Sequence, residues 1–179
     1  MSYNISSDKF QHPLLKPILL KLTEFFSKED IHFFVIGATA RDIIMLLHDE
    51  KSGRATNDLD IAIAINNWAD YSKIEDGIVN IEGFEKDASQ KQRFIYQRVF
   101  ILDIVPFGEV MKEDDKIFWP PEEEIAMSVL GFSEVYENTL PVKIDDEVEI
   151  LVSSLAGIFI LKIVAWLDRY LRGNKDADD

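Results

Sequence analysis

Two aspartates one residue apart, Asp58 and Asp60, open the alternating segment DLDIAIAI. Successive side chains of a β-strand point to opposite faces, so both carboxylates should emerge on the same face. Two like charges held this close repel each other unless a cation lies between them. The pair therefore indicates a site for a hard divalent ion such as magnesium, with manganese as a second possibility.

A third carboxylate, Asp103, lies in the apolar segment FILDIVPF. An aspartate among apolar strand residues must be hydrogen-bonded, paired or coordinated to be tolerated there. Enzymes of phosphoryl and nucleotidyl transfer hold metal ions about 4 Å apart, which usually takes a third carboxylate. We predict that Asp58, Asp60 and Asp103 form a catalytic metal site. The alternative for Asp58 is a simple turn residue, because Thr-Asn-Asp also favours turns.

A glycine follows the apolar strand in FFVIGATARD, where the pattern changes from strand to helix. At such a turn the backbone of Gly37 and Ala38 can approach a phosphate, and the amides at the helix N-terminus attract it. Thr39 would add a hydroxyl and Arg41 a guanidinium fork. Strand-glycine-helix turns are common, however, and Arg41 with Asp42 could equally form a surface ion pair.

Lys162 lies within an apolar stripe of the last predicted helix. At helical spacing this stripe contains Leu155, Ile158, Phe159, Lys162, Ala165 and Trp166. The ammonium group could reach nucleotide phosphates or the carboxylates, or its stem could lie on the apolar face while the charge extends to solvent.

The pattern of apolar residues predicts an α/β (α+β) fold, a mixed β-sheet with helical cover. Helices are predicted over 13–27, 38–49, 67–79 and from Ser153 or Ser154 to about Arg172, and strands over 32–37, 58–65 and 93–107, the last as one or two strands. The segment LPVKIDDEVEILV should form a hairpin that turns at Asp145 and Asp146, and 108–124 a loop. The apolar run 156–167 predicts a buried helix. We assign one domain, with a helical segment at 1–30, a core at 31–152 and a helix with a tail at 153–179.

The formal net charge is −14, from 33 acidic and 19 basic residues. This charge repels nucleic acid at long range and argues against a general nucleic-acid coat protein. With no cysteine and three histidines, the sequence offers no thiolate ligand and no zinc cluster. No signal peptide is indicated, and the longest apolar run is shorter than the roughly 20 residues of a membrane span. We therefore expect a cytoplasmic protein.

In this order, the motifs resemble those of the DNA polymerase beta nucleotidyltransferase superfamily: a glycine turn, a paired-acid strand and a third acid on a neighbouring strand. Over about residues 31–179, the stretches VIGATARD, TNDLDIAI, LDIVPFG, FWPP, LKIVAWLDR and KDADD are most similar to nucleotidyltransferase toxins of the AbiEii/AbiGii type. The resemblance implies transfer of a nucleoside monophosphate from a nucleoside triphosphate to an acceptor hydroxyl, with an RNA such as tRNA as acceptor.

The same resemblance implies roles for individual residues. It assigns magnesium to the three aspartates, the triphosphate to the Gly37 turn and Lys162, and a late acidic motif to Asp176. Ala38 stands where many relatives have glycine or serine, so Thr39 would have to supply a serine-like hydroxyl. The chain also stops just after the late motif, where relatives usually continue, which suggests a truncated or minimal member.

Three alternatives remain open from the sequence. One is a catalytically inactive nucleotide-binding or partner-binding domain that works with an antitoxin protein. Another is a small-molecule nucleotidyltransferase of the antibiotic-modifying type. The tRNA CCA-adding enzymes are also similar in GATARD and DLDIAI, but their larger helical body would not fit after Asp103. If the acceptor is RNA, a strip of basic residues could guide it: Lys86, Lys91, Arg93, Arg98, Arg169 and Arg172.

Overall fold

A mixed β-sheet forms the centre of the structure, a computed structural model that describes residues 2–50, 56–121 and 126–169. The strands of this part of the chain are β1 (Tyr3–Ile5), β2 (Phe33–Ile36), β3 (Asp58–Ile65), β4 (Phe84–Lys86), β5 (Arg93–Tyr96), β6 (Phe100–Gly108), β7 (Lys116–Phe118), β8 (Ala126–Ser128), β9 (Leu140–Ile144) and β10 (Val148–Val152). Eight of them form one sheet in the order β1-β9-β10-β2-β3-β6-β5-β4, while β7 and β8 pair separately. The pairs β3–β6, β10–β2 and β1–β9 are parallel and the other four pairs of this sheet are antiparallel, which confirms the predicted mixed sheet.

Five α-helices accompany the strands in the described residues: α1 (Leu15–Lys28), α2 (Gly37–Leu47), α3 (Trp68–Val79), α4 (Phe132–Glu137) and α5 (Leu155–Arg169). The first three and the last agree with the predicted helices to within a few residues at their described ends, whereas the sequence pattern did not reveal the short α4. Asn67 caps α3, because its side chain accepts a hydrogen bond from the Asp70 backbone N–H. Ser154 does the same for α5 through the N–H of Gly157. The predicted end of α5 at Arg172 lies outside the described residues.

The two faces of β3 have different chemistry. Leu59, Ile61 and Ile63 are fully buried on one face, where α1 packs through the Phe26 ring, 5.1 Å from that of Phe33. Asp58 and Asp60 alternate with these residues and therefore lie on the opposite face. The strand is thus anchored by its apolar side and presents its acidic side.

The acidic face is covered by α4 only at the end of the strands away from the carboxylates. There the Phe132 ring packs 6.0 Å from that of Phe107, and Tyr136 packs 5.7 Å from Phe34. Since Phe107 and Phe34 share a face with Asp60 through the strand register, α4 closes one end of this face. The other end, where the aspartates lie, is left for α2 and α5 to border.

The prediction of a buried C-terminal helix is wrong for the described part of α5. Ile158 is buried, but Leu155, Phe159 and Leu167 are between 61% and 67% exposed. The helix packs on its neighbours through a narrow stripe of residues that includes Gly157, which contacts Val135 of α4. A run of apolar residues predicts a helix without showing how much of its circumference is covered.

The N-terminal segment, predicted as helical, also contributes a strand. β1 adds to the sheet edge by pairing in parallel with β9. The adjoining chain is fixed to the β9–β10 turn, where the Ser7 N–H and the Lys16 ammonium both donate to the Asp145 carboxylate, at 2.8 and 2.7 Å. These bonds, Lys16 first, lower the pKa of Asp145 well below its ordinary value. The turn at Asp145 and Asp146 is confirmed, while the three proposed segment boundaries stay a prediction.

No helix in the described ranges has both the length and the apolar character that a membrane crossing requires.

Candidate active site

The three predicted aspartates meet on one face of the sheet. β3 and β6 run parallel with Asp60 directly beside Asp103, and Asp58 is two residues along the same face of β3. This placement follows from backbone register alone, because residues paired between neighbouring strands point to the same side. The sequence had predicted the shared face of Asp58 and Asp60, and the structure adds Asp103 to it.

Asp60 lies at the centre of this group and is partly buried. Desolvation, followed by the negative charges of Asp58 and Asp103, raises its pKa from 3.8 to about 7. The positive charges of Arg93 and Lys162 act in the opposite direction but do not compensate. The protein therefore holds a carboxylate where its charge is costly, a property that is common at functional sites.

Gly37 lies against the Asp60 side chain. Its φ of +67° is in the left-handed region, and a Cβ at this position would be 2.3 Å from Oδ2 of Asp60. Only glycine satisfies both conditions without strain. The turn between β2 and α2 and the central carboxylate are therefore built to fit each other.

Thr39 contacts the backbone of Asp58. Its hydroxyl donates to the backbone carbonyl of Asp58 at 2.8 Å, and the residue is 1% exposed. The Asp58 carboxylate in turn accepts a hydrogen bond from the hydroxyl of Thr56. Thr39 thus fixes α2 to the start of β3, and this contact does not support the predicted phosphate-binding role of its hydroxyl.

Thr39→Val should lower the free energy of unfolding by about 1–2 kcal/mol, because it removes a buried hydrogen bond and leaves the carbonyl of Asp58 short of a partner. Urea denaturation measures this change, with an unaltered m-value if only stability is affected. Thr39→Ser keeps the hydroxyl and serves as the matched control. A valine variant as stable as the serine variant would contradict this role.

Asp103 is paired with Arg93, a contact that the sequence analysis did not identify. The guanidinium donates twice, from Nε to Oδ1 at 2.9 Å and from Nη2 to Oδ2 at 2.8 Å. These two hydrogen bonds are the main reason that the pKa of Arg93 is raised above its ordinary value. Of the three ways to accommodate an aspartate in an apolar strand, this structure uses pairing. The available signal was the hairpin β5–β6, whose register places Arg93 opposite Asp103.

Lys162 approaches the group from α5. Its side chain is partly buried, and its charge is close enough to Asp60 to counteract the rise in that residue's pKa. This electrostatic effect agrees with the predicted approach of the lysine to the carboxylates, but a direct contact between them stays a prediction. Its contact with a nucleotide stays a prediction.

The remaining predicted nucleotide contacts are less well placed or not described. Arg41 forms an ion pair with its neighbour Asp42, with Nη2 3.0 Å from Oδ1, as the alternative interpretation of the sequence had it. Ala38 is partly exposed beside Gly37. Asp176 lies outside the described residues, so the late acidic motif stays a prediction.

Two of the basic residues considered for RNA guidance, Lys86 and Arg93, lie on opposite faces of the sheet. Lys86 pairs with Glu75 at 2.6 Å and lies over the Phe94 ring. Arg98, which is 84% exposed, pairs with Glu85. The side chain of Arg169 and the whole of Arg172 are outside the described part of the chain. The described members of this set therefore give no support for a continuous RNA track.

Comparison with known proteins shows the family. Residues 20–177 match the sequence model of the family described as nucleotidyl transferase AbiEii toxin, Type IV TA system. The chain belongs to this AbiEii family. The matched range contains Asp58, Asp60, Asp103, Gly37 and Lys162. The predicted family is thereby confirmed, and so is the assignment of the chain to the nucleotidyltransferases.

A solved structure gives the same answer for the fold. This AbiEii family member is similar to the lincosamide antibiotic adenylyltransferase LnuA in its lincomycin-bound crystal structure, with a TM-score of 0.50 and 16% identity. The alignment covers 81% of this chain and 84% of LnuA. At this identity the similarity concerns the fold alone. A search of curated proteins found no match.

The donor set of the AbiEii site fits a hard divalent cation only in part. Asp58 and Asp60 supply carboxylate oxygens and unrelieved negative charge, as magnesium requires. Among residues 2–50, 56–121 and 126–169, however, no three histidine, aspartate or glutamate side chains are arranged to hold a metal ion. Both oxygens of Asp103 accept a hydrogen bond from Arg93, so a cation that binds this carboxylate would lie beside an existing positive charge.

Proposed function

We propose that this AbiEii family member transfers a nucleoside monophosphate from a nucleoside triphosphate to an acceptor hydroxyl, with magnesium. The observation that carries the proposal is the convergence of Asp58, Asp60 and Asp103 beside the Gly37 turn, with the positive charge of Lys162 acting on Asp60. Acids on two parallel strands next to a helix N-terminus bring cation ligands and a phosphate-binding turn together.

The residues of the site would each have a separate role in the reaction. The acceptor oxygen forms a bond to the α-phosphorus, the bond from that phosphorus to the leaving pyrophosphate oxygen breaks, and the acceptor proton passes to Asp103 directly or through water. Lys162 and the amides of the Gly37 turn would stabilise negative charge on the triphosphate. Asp58 and Asp60 would hold the cation, which supplies Lewis-acid polarisation of the phosphoryl oxygens when bound.

We place the acceptor hydroxyl on RNA, contacted only near one end. The net charge of −14 opposes binding of an extended polyanion, and Lys86 and Arg93 lie on opposite faces of the sheet. A short contact at the cleft is compatible with both facts. We further propose that the protein acts in the cytoplasm, where nucleoside triphosphates are available, and that an antitoxin controls it, as the family description suggests.

The test is transfer of label from each of four α-³²P-labelled nucleoside triphosphates, with magnesium, to cellular RNA and separately to a metabolite and protein extract. Label is expected in the RNA fraction with the wild-type protein and is expected to fall at least about 1,000-fold in Asp60→Asn, because the central cation ligand is removed. Label confined to the metabolite fraction would contradict the RNA acceptor and favour a small-molecule transferase. No transfer, or equal transfer by the variant, would contradict the function or the site.

A further inference from the structure

Arg93 occupies an unusual place for a residue beside three carboxylates. It lies on β5 directly opposite Asp103 of β6, and both side chains point to the acidic face. Its guanidinium takes both oxygens of Asp103 in a planar two-bond fork, which is the strongest common geometry for this pair. In this arrangement any cation that approaches Asp103 has to compete with an existing positive charge.

The two partners differ in how freely they can move. The Asp103 side chain is 14% exposed, whereas the Arg93 side chain is 31% exposed. Two backbone hydrogen bonds hold Arg93 in place. Its N–H donates to the carbonyl of Gln90, and its carbonyl accepts from the N–H of Asp87. A change of partner would therefore move the long, partly exposed side chain and leave the strand in place.

The local charges explain why such a change of partner would be favourable. Without a cation, the guanidinium of Arg93 is the positive group that is hydrogen-bonded to Asp103, and its charge offsets that of this carboxylate. A divalent cation among the aspartates would supply that compensation and leave the guanidinium beside surplus positive charge. A guanidinium at the rim of such a site is then suited to a phosphate, for which its fork has the same geometry as for a carboxylate.

We propose that Arg93 is a latch residue: it holds Asp103 while the site is empty, yields it to the divalent cation, and then binds a phosphate of the nucleoside triphosphate. This inference rests on the proposed function for the identity of the cation and the nucleotide. It assigns to Arg93 a positioning role before substrate binds and a binding role afterwards.

The first experiment uses magnesium alone, without nucleotide, and follows the Tm of the full chain in a magnesium titration. Arg93→Gln should have a lower Tm than wild type without magnesium, because Asp103 loses its partner. Its magnesium-induced rise in Tm should also begin at a roughly tenfold lower magnesium concentration, since the competing charge is gone. Asp60→Asn gives the background from other acidic sites, and Arg98→Gln removes the same charge from the exposed neighbouring turn as a control.

The second experiment measures nucleotide binding and turnover at saturating magnesium. Arg93→Gln should raise KM for the nucleoside triphosphate at least about tenfold with a smaller change in kcat, as expected when an interaction common to ground and transition states is lost. Arg93→Lys keeps the charge without the fork and should lie between wild type and glutamine in both experiments. If one variant is poorly folded, the other still gives the comparison.

The possible results test the latch role of Arg93 and the proposed nucleotidyl transfer independently. The expected shift in the magnesium titration, without detectable transfer by the wild-type protein, would support release of Asp103 and contradict the function. Transfer by the wild-type protein, with equal or weaker magnesium binding in Arg93→Gln, would overturn the latch and leave the function standing. An unchanged KM for the nucleoside triphosphate would overturn the second half of the proposal.

Discussion

Asp60→Asn is expected to make the metal-free protein more stable at pH 8 while removing its activity. Burial and the charges of Asp58 and Asp103 raise the pKa of Asp60 to about 7 in the folded protein, compared with about 3.9 in an unfolded chain. Ionised Asp60 therefore costs stability, and an amide of the same shape does not carry that cost. At about 1.4 kcal/mol for each pKa unit, the gain at pH 8 is roughly 2–4 kcal/mol.

The sign of this effect fixes its pH dependence. Because the folded state holds the Asp60 proton more tightly than the unfolded state, the stability from protonated Asp60 is fully present below about pH 4. It is lost as the pH rises through the folded pKa of about 7. The difference between Asp60→Asn and wild type should therefore be small at pH 4, grow through this range and level off near pH 8.

Thermal unfolding in buffer with a chelator measures this difference, which at pH 8 corresponds to a rise in Tm of roughly 5–10 °C. Asp76→Asn makes the same chemical change at an exposed position on α3 and should give no comparable pH-dependent gain. Added magnesium should raise the Tm of the wild-type protein at pH 8 and leave that of Asp60→Asn nearly unchanged. An Asp60→Asn variant less stable than wild type at pH 8 would show that the carboxylate is structurally required.

Gly37→Ala is expected to reduce transfer by at least about 100-fold in a protein that still folds. The alanine Cβ would lie 2.3 Å from Oδ2 of Asp60 and 3.2 Å from its Cβ, so the central carboxylate must move. The φ of +67° adds a backbone cost of about 1–2 kcal/mol for any residue other than glycine. Displacement of a catalytic group by about 1 Å is enough for a loss of this size.

Gly131→Ala serves as a control that separates the cost of a positive φ from the displacement of Asp60. Gly131 also has a positive φ, of +83°, but among the described residues a Cβ there would meet only Ile160, at 3.1 Å. Both variants should lose stability in urea denaturation from the positive φ, Gly37→Ala more because of its contact with Asp60, and only Gly37→Ala should lose activity. Equal activity of the two alanine variants would mean that the fit between the turn and Asp60 has no catalytic importance.

Much of the fold and the acidic centre follows from local patterns. Strict alternation predicts β3 with its bounds, and side-chain periodicity alone places Asp58 and Asp60 on one face. The helix after Asn67 and the hairpin at Asp145 follow from capping and turn chemistry. The pairing of β3 with β6, which brings Asp103 to Asp60, depends on contacts distant in sequence and could only be expected from the order of the motifs.

The features that sequence did not reveal are those set by packing between elements. Arg93 could be placed on a strand, but its fork to Asp103 depends on hairpin register. Thr39 has the residue type of a phosphate ligand, yet the approach of α2 to β3 brings its hydroxyl to a backbone carbonyl. Similarly, the exposure of Phe159 on α5 reflects which neighbours cover the helix, and no helical spacing contains that information.

The parallel register of β3 and β6 also limits where this chain can accept insertions. Asp60 and Asp103 are side by side only because every residue from Asp58 to Ile65 pairs with its counterpart on β6. A single residue inserted in β6 before Asp103 would shift the strand by one position and turn the carboxylate into the apolar layer beneath the sheet. In a length-variant library, we expect viable insertions in the 87–92 connection and strong selection against them between Phe100 and Asp103.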